Sequence, residues 1–280
     1  MVPKIRIEND RGEVLDFSAS PRYLAMLTGT GPPAATINRA KVSVADGTRF
    51  NSATVGEREL LLTVYILRDT ARARLNLYRF IATKSHIKIY YQADGLDVYI
   101  EGYVETAEVN PWEENQNVQV SIICPMPFWQ DVESTYTDAS QVWKLFEFPF
   151  AIEEEGIELS TMNSSSGTLI ENGGTVEAGV TFVITATVAT QNPRIHNLST
   201  GEFIGVHASM EPGDQIEICT CTGSKRITHI RDGVRTNYIN ALMLGSAWLQ
   251  MVVGANEYSY TVDSGECELG IYHTNMYTGV

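Results

Sequence analysis

The chain is patterned mainly with a period of two. "HIKIYY" puts Ile87, Ile89 and Tyr91 on one parity, and "NVQVSIIC" does the same with Val118, Val120, Ile122 and Cys124. Such alternation is that of a strand with one buried face. "FEFPF" repeats it with Phe146, Phe148 and Phe150, and "TFVITATVA" with Phe182, Ile184, Ala186 and Val188. Between Glu59 and Leu67 apolar residues fall on both parities: Leu60, Leu62, Val64 and Ile66 on one, Leu61, Tyr65 and Leu67 on the other. That predicts a strand covered on both sides. "KIRIENDRGEVLDF" reads as a hairpin turning at Asn9 to Gly12. "LDVYIEGYVETAEV" reads as a long strand, kinked or bulged at Gly102.

One stretch changes period. From a cap at Asp69 or Thr70 to about Ser85, Ala71, Leu75, Tyr78 and Ala82 share a face at helical spacing, flanked by Leu77 and Ile81. Arg72, Arg74, Arg79 and Lys84 lie around the rest and read as a solvated or subunit-contacting face. "LTGTGPPAA" is a loop stiffened by Pro32 and Pro33; its glycines lack the strand-to-helix setting of a phosphate loop. "CPMPFW" stops the last strand of this half, because proline donates no backbone hydrogen bond. The polar stretch "DVESTYTDASQVW" then predicts a linker over 132–143. Beyond it no helix is expected. Turns at Asn172-Gly173, Thr200-Gly201, Pro212-Gly213, Asp232-Gly233 and Gly254 predict an antiparallel sandwich or jelly roll. The expected class is mainly β, with domains over 1–131 and 144–280.

Charge sharpens this division. The 280 residues carry a formal net charge of −14. Residues 1–131 hold 14 Lys and Arg against 16 Asp and Glu, whereas 132–280 hold 6 against 18. A duplex binder working by phosphate neutralisation is disfavoured. No apolar run approaches the roughly 20 residues of a membrane span. Met1 to Asp10 lacks the apolar core of a signal peptide, so synthesis in a cytoplasm is expected and the sequons at Asn163 and Asn197 read as chance.

Catalytic chemistry finds little purchase. His86, His196, His207, His229 and His273 have no metal-binding spacing, and no G-x-S-x-G elbow is present. Glu153-Glu154-Glu155 reads as solvated loop, and Asp214, Glu217 and Asp232 lack the spacing of a calcium hand. Cys219 and Cys221 share one strand face and read as reduced thiols rather than zinc ligands. No catalytic, metal or cofactor site is expected. Among the late aromatics, Trp248 and Tyr260 read as core, and Tyr272 and Tyr277 as candidate interface residues.

The order of these segments resembles the distal tail proteins of long-tailed bacteriophages, the siphophage tail component family. The resemblance rests on "GPPA", "ADGTRF", Arg58 leading "RELLLTVYI", the helix, "LDVYIEGYVETAEVNPW", and "VSIICPMPFW", which is similar to a C-x-x-P-F-W signature. "LIENGGTVEAG", "NPRIHNLSTGEFI", "EPGDQIEI", "RITHIRDG" and "VGANEYSYTVDSG" continue it, with Val253 where the family often has proline. The resemblance implies a split-barrel-like β-sandwich with one helix, followed by a galectin- or carbohydrate-binding-module-like sandwich. It implies a virion protein forming a ring, usually of six copies, that joins the tail tube protein to the tail tip or baseplate. The outer domain would hold tip or receptor-binding proteins; the alternative is an adsorption module contacting host saccharide. Phage DNA would pass through the lumen without specific binding, repelled by inward acidic groups. In this setting Cys124, Pro125, Pro127, Phe128 and Trp129 are expected to form the domain junction and set the direction of the outer domain.

Overall fold

The computed structural model describes residues 3–41, 46–109, 116–139, 142–144, 160–162 and 167–280. The "FEFPF" stretch, Glu153 to Glu155 and the Asn163 sequon lie outside the described residues. The chain divides into two units, Met1–Val132 with Met276–Val280, and Glu133–Asn275. The last five residues, expected with the outer domain, thus belong to the first unit. Thr135–Asp138, expected within a linker, is a strand paired with Cys267–His273.

The first unit contains β1 (Lys4–Asn9), β2 (Val14–Asp16), β3 (Tyr23–Thr28), β4 (Ala35–Lys41), β5 (Thr48–Val55), β6 (Arg58–Ile66), α1 (Thr70–Tyr78), β7 (His86–Ala93), β8 (Leu96–Val109), β9 (Asn117–Cys124) and β10 (Trp129–Asp131). Its main sheet is antiparallel in the order β2-β1-β7-β8-β9-β6-β3. β10 pairs with both β8 and the C-terminal Met276–Tyr277. Alternation delivers Ile5, Ile7, Leu60, Leu62, Val64, Ile87, Ile89, Val118, Val120 and Ile122 to one core. Each such side chain contributes about 1.5–3 kcal/mol when fully buried.

Three expectations are corrected here. The helix ends at Tyr78 rather than near Ser85, and it buries Ala73 and Leu77, with Ile81 buried just beyond; Leu75 is 65 % exposed. Both sets of residues fit a 3.6-residue period, and packing against the sheet selects the second. Tyr23 fixes that choice by donating its hydroxyl to the Ala73 carbonyl at 2.8 Å. Asp69 precedes the helix with φ 51° and makes no side-chain capping bond. In β6 one face is buried throughout, while Leu61 and Tyr65 on the other are only half-buried and Leu67 is exposed. In β8 the register slips between Val104 and Thr106, so the bulge lies beyond Gly102. Gly102 answers to packing instead, since a Cβ there would sit 2.7 Å from the Ile122 side chain and 2.8 Å from the Cys124 sulfur.

The second unit is a sandwich of two antiparallel sheets. One runs in the order Thr135–Asp138, Cys267–His273, Ala178–Ala186, Gln215–Cys219, Arg226–Arg231, Val234–Asn237. The other runs Thr168–Asn172, Gly254–Thr261, Arg194–Asn197, Glu202–Gly205. Their inner faces supply Phe182, Ile184, Ile195, Ile204, Ile216, Ile218, Tyr258, Leu269 and Ile271, all buried. The Phe182 and Tyr258 rings meet edge-on at 5.4 Å. Tyr260 is core, and its hydroxyl donates to the Cys267 carbonyl of the facing sheet at 2.8 Å. Trp248 is only half-buried, and Val188 lies beyond the strand end and is exposed.

Candidate functional site

Arg58 opens β6 opposite Cys124 and is 2 % exposed. Its guanidinium is held by backbone oxygens alone among the hydrogen bonds of the described residues. Nε donates to the Pro127 carbonyl at 2.6 Å, Nη1 to those of Gly29 at 2.7 Å and Gly31 at 2.6 Å, and Nη2 to that of Thr278. Four carbonyl dipoles thus face one delocalised cation whose forked donors suit them. Burial holds its pKa below the ordinary arginine value, and the group stays charged. Three segments remote in sequence meet here: the "TGTGPP" loop, the "CPMPFW" knuckle and the C-terminal tail. Only glycine fits two of these places. Gly29 has φ +85° and a Cβ would lie 2.5 Å from the Glu59 carbonyl; at Gly279 it would lie 2.8 Å from Gly31 and Pro32 backbone atoms.

Trp129 completes the node. It is fully buried, 5.9 Å from the Tyr91 ring, with the Arg58 guanidinium 5.9 Å from its own ring, and it pairs in register with Tyr277. Cys124 and Pro127 are buried, Phe128 is half-buried and Pro125 is exposed. The Cys124 thiol is pushed up to about 12, chiefly by burial, and is no nucleophile at neutral pH. The sequence signals the knuckle but not the cage, because the carbonyls that Arg58 gathers carry no side-chain signature.

A second feature is the β4–β5 hairpin. Every described residue along both strands is exposed, including Ile37 at 52 % and Phe50 at 62 %. A two-stranded ribbon with no core beneath it is at best marginally stable in water. Beside it in sequence, β3 ends the sheet and exposes Leu24 and Met26.

The candidate interface aromatics lie in different units. Tyr272 is exposed on the second unit, with its ring 4.7 Å from that of Tyr136. Tyr277 is half-buried in the first, and its hydroxyl donates to Asp131 at 3.4 Å. Among the described residues no three His, Cys, Asp or Glu side chains converge as for a metal. Nor is any helix long and apolar enough to cross a membrane. His229 approaches the buried Asp214 at 3.3 Å. The Arg231 fork holds the Asp214 carboxyl down to about 2, against an opposing effect of burial. The Cys219 and Cys221 thiols interact, and that interaction lowers the pKa of the former and raises that of the latter.

Residues 173–277 match the family described as siphovirus-type tail component, C-terminal domain. No curated protein matches the sequence. The fold is similar to that of the SPP1 Dit protein, described as a paradigm of the hub adsorption apparatus in phages infecting Gram-positive hosts, at TM-score 0.72 and 14% identity over 97% of this chain and 98% of that one. It is also similar to a chain of the phage p2 baseplate in its activated conformation with Ca, at TM-score 0.57 and 10% identity over 100% of both chains. The same baseplate with Sr gives 0.53 and 11% over 97% and 98%. Residues 173–277 are therefore similar to a siphovirus-type tail component C-terminal domain, on a chain that shares the fold of the SPP1 Dit protein over 97% of its length.

Proposed function

We propose that this chain is a non-enzymatic component of a phage tail tip or baseplate, and that copies of it close into a ring, six by family expectation. The observation that carries the reading is the β4–β5 hairpin. An arm that exposes Ile37 and Phe50 and rests on no core gains its stability from a partner. A heterologous contact between copies that closes on itself makes a ring. The ring would join the tail tube protein on one side to a tail-tip hub protein on the other. The acidic second unit, read as galectin-like, would anchor tip or receptor-binding proteins. DNA would cross the lumen unbound, with acidic groups facing it.

The test is the mass of the full-length protein in solution, by light scattering, for wild type and for Ile37→Asp with Phe50→Asp. The wild type is expected as a closed oligomer. The double variant is expected as a folded monomer with unchanged circular dichroism. A wild type that stays monomeric at high concentration, or a double variant that assembles normally, would overturn the reading.

A further inference from the structure

Cys219 ends the Gln215–Cys219 strand in the larger sheet of the second unit, and Cys221 follows two positions later. Alternation sends Ile216, Ile218 and Thr220 to the core, all buried, and leaves Glu217, Cys219 and Cys221 together on the outer face. The alternation holds through Thr220, although the strand proper stops at Cys219. The Thr220 N–H donates to the Val180 carbonyl at 2.9 Å, and its hydroxyl accepts from the Val180 N–H at 2.8 Å and donates to that same carbonyl at 3.0 Å. Gly179 then fixes the next residue. A Cβ there would lie 2.3 Å from the Cys221 Cα, so only glycine admits this backbone so closely. Across the sheet, Cys219 stands between Thr181 and Arg226. The two thiols interact, and the Thr181 hydroxyl reaches both. Cys219 is 3 % exposed and Cys221 is half-buried, so the pair opens to solvent on the Cys221 side. Glu217, on the same face, is engaged by Arg226 at 2.6 Å and by Arg235 at 3.5 Å. Among the described residues no third His, Cys, Asp or Glu joins the sulfurs as a metal ligand.

We propose that Cys219 and Cys221 form a two-sulfur site for cuprous ion. Thiolates select soft cations, and a closed-shell monovalent cation is satisfied by two of them. Zinc takes four ligands in a tetrahedron and calcium six or more oxygens; neither set is present around this pair. The reach also fits. Strand rise sets the two Cα atoms roughly 6–7 Å apart, and two metal–sulfur bonds of roughly 2.3 Å each, the length found with zinc, span sulfurs that lean together from one face. Binding replaces two S–H bonds by two S–Cu bonds, and both protons leave to solvent. The bis-thiolate complex carries one net negative charge, which the Arg226 guanidinium beside Cys219 offsets. Val180 and Gly179 already hold the backbone of the pair, so little ordering accompanies binding. The site lies within the second unit and depends on neither ring formation nor a tail partner.

Reduced full-length protein is titrated without oxygen with cuprous ion, in competition with bicinchoninate as a coloured Cu(I) chelator, and separately with zinc ion. Wild type is expected to withdraw one equivalent of copper per chain, to gain a thiolate-to-copper absorption in the ultraviolet, and to melt at a higher temperature when loaded. Zinc should produce neither tight binding nor a melting shift. Cys219→Ser and Cys221→Ser should each lose the copper equivalent, whereas Cys267→Ala should keep it. Circular dichroism checks that each variant is folded. Cys219 is buried, so Cys221→Ser, at a half-buried position, decides the matter if the Cys219 variant does not fold. X-ray absorption of the loaded protein should show two sulfurs at copper. A wild type that withdraws no copper, zinc bound as tightly as copper, or an equivalent that survives in Cys221→Ser would overturn the proposal.

Discussion

Arg58 and Trp129 hold together parts of the first unit that are far apart in sequence, and the two residues call for different substitutions. Arg58→Lys keeps the charge but replaces a planar fork with one ammonium, which cannot satisfy all four carbonyls, that of the buried Pro127 among them. An unpaired buried acceptor costs about 1–3 kcal/mol, so chemical denaturation should show a loss of about 1–3 kcal/mol. Trp129→Ala should cost about 3–5 kcal/mol through the cavity it leaves. Trp129→Phe should cost clearly less, because the buried indole N–H makes no hydrogen bond among the described residues. Equal losses for the two Trp129 variants would show that the indole nitrogen matters more than packing. The tryptophan was legible in "CPMPFW" as an apolar anchor. Arg58 was legible only as the head of a strand, because its partners are carbonyls at Gly29, Gly31, Pro127 and Thr278 that only the folded chain assembles. Asp214 gives a pH-dependent case. Its folded pKa, about 2, lies below the ordinary carboxylate value. Its contribution is therefore present above about pH 4 and lost as pH falls toward 2, amounting to about 1–2 kcal/mol. Asp214→Asn should be less stable than wild type at pH 6, with the gap closing near pH 2; a gap independent of pH would refute the assignment.

Elements follow from patterning where one face is buried, and depart from it where neighbours choose between equivalent faces. β7, β9 and the Ala178–Ala186 strand stand where alternation set them. The helix exists where its period changed, yet its buried face is Ala73 and Leu77, a choice made by the sheet and Tyr23 rather than by the helix's own sequence. Leu77→Ala should therefore destabilise the protein by about 2–5 kcal/mol, whereas Leu75→Ala, on the exposed side, should stay within about 0.5 kcal/mol. Thermal and denaturant melts of the two variants decide the point, and the reverse ranking would restore the face read from the sequence. The two-sided strand at β6 is a related case. Its second row, Leu61 and Tyr65, is half-buried within one chain, so its apolar character exceeds what a single copy covers. The hairpin escaped pattern reading for the opposite reason: Ala35–Lys41 and Thr48–Val55 have no buried face to impose a period.

The whole molecule separates its tasks by charge. Val132 and Met276–Val280 carry no charged side chain, so the tally by unit remains −2 for the first and −12 for the second. The nearly neutral unit carries the unsupported hairpin and the exposed edge at Leu24 and Met26, features that suit contact between copies. The strongly acidic unit carries the exposed Tyr136 and Tyr272 rings. The chain leaves the first unit after Val132 and returns at Met276, where Thr278 closes the Arg58 cage. That return had no signature in the sequence, because five uncharged residues at the end of a β-rich half resemble any terminal segment. The central claim is that the first unit is built to assemble with copies of itself. Negative-stain microscopy of the purified full-length protein tests it most directly. The account predicts closed rings with a central hole in face-on views; a field of solitary, compact particles at concentrations that favour association would contradict it.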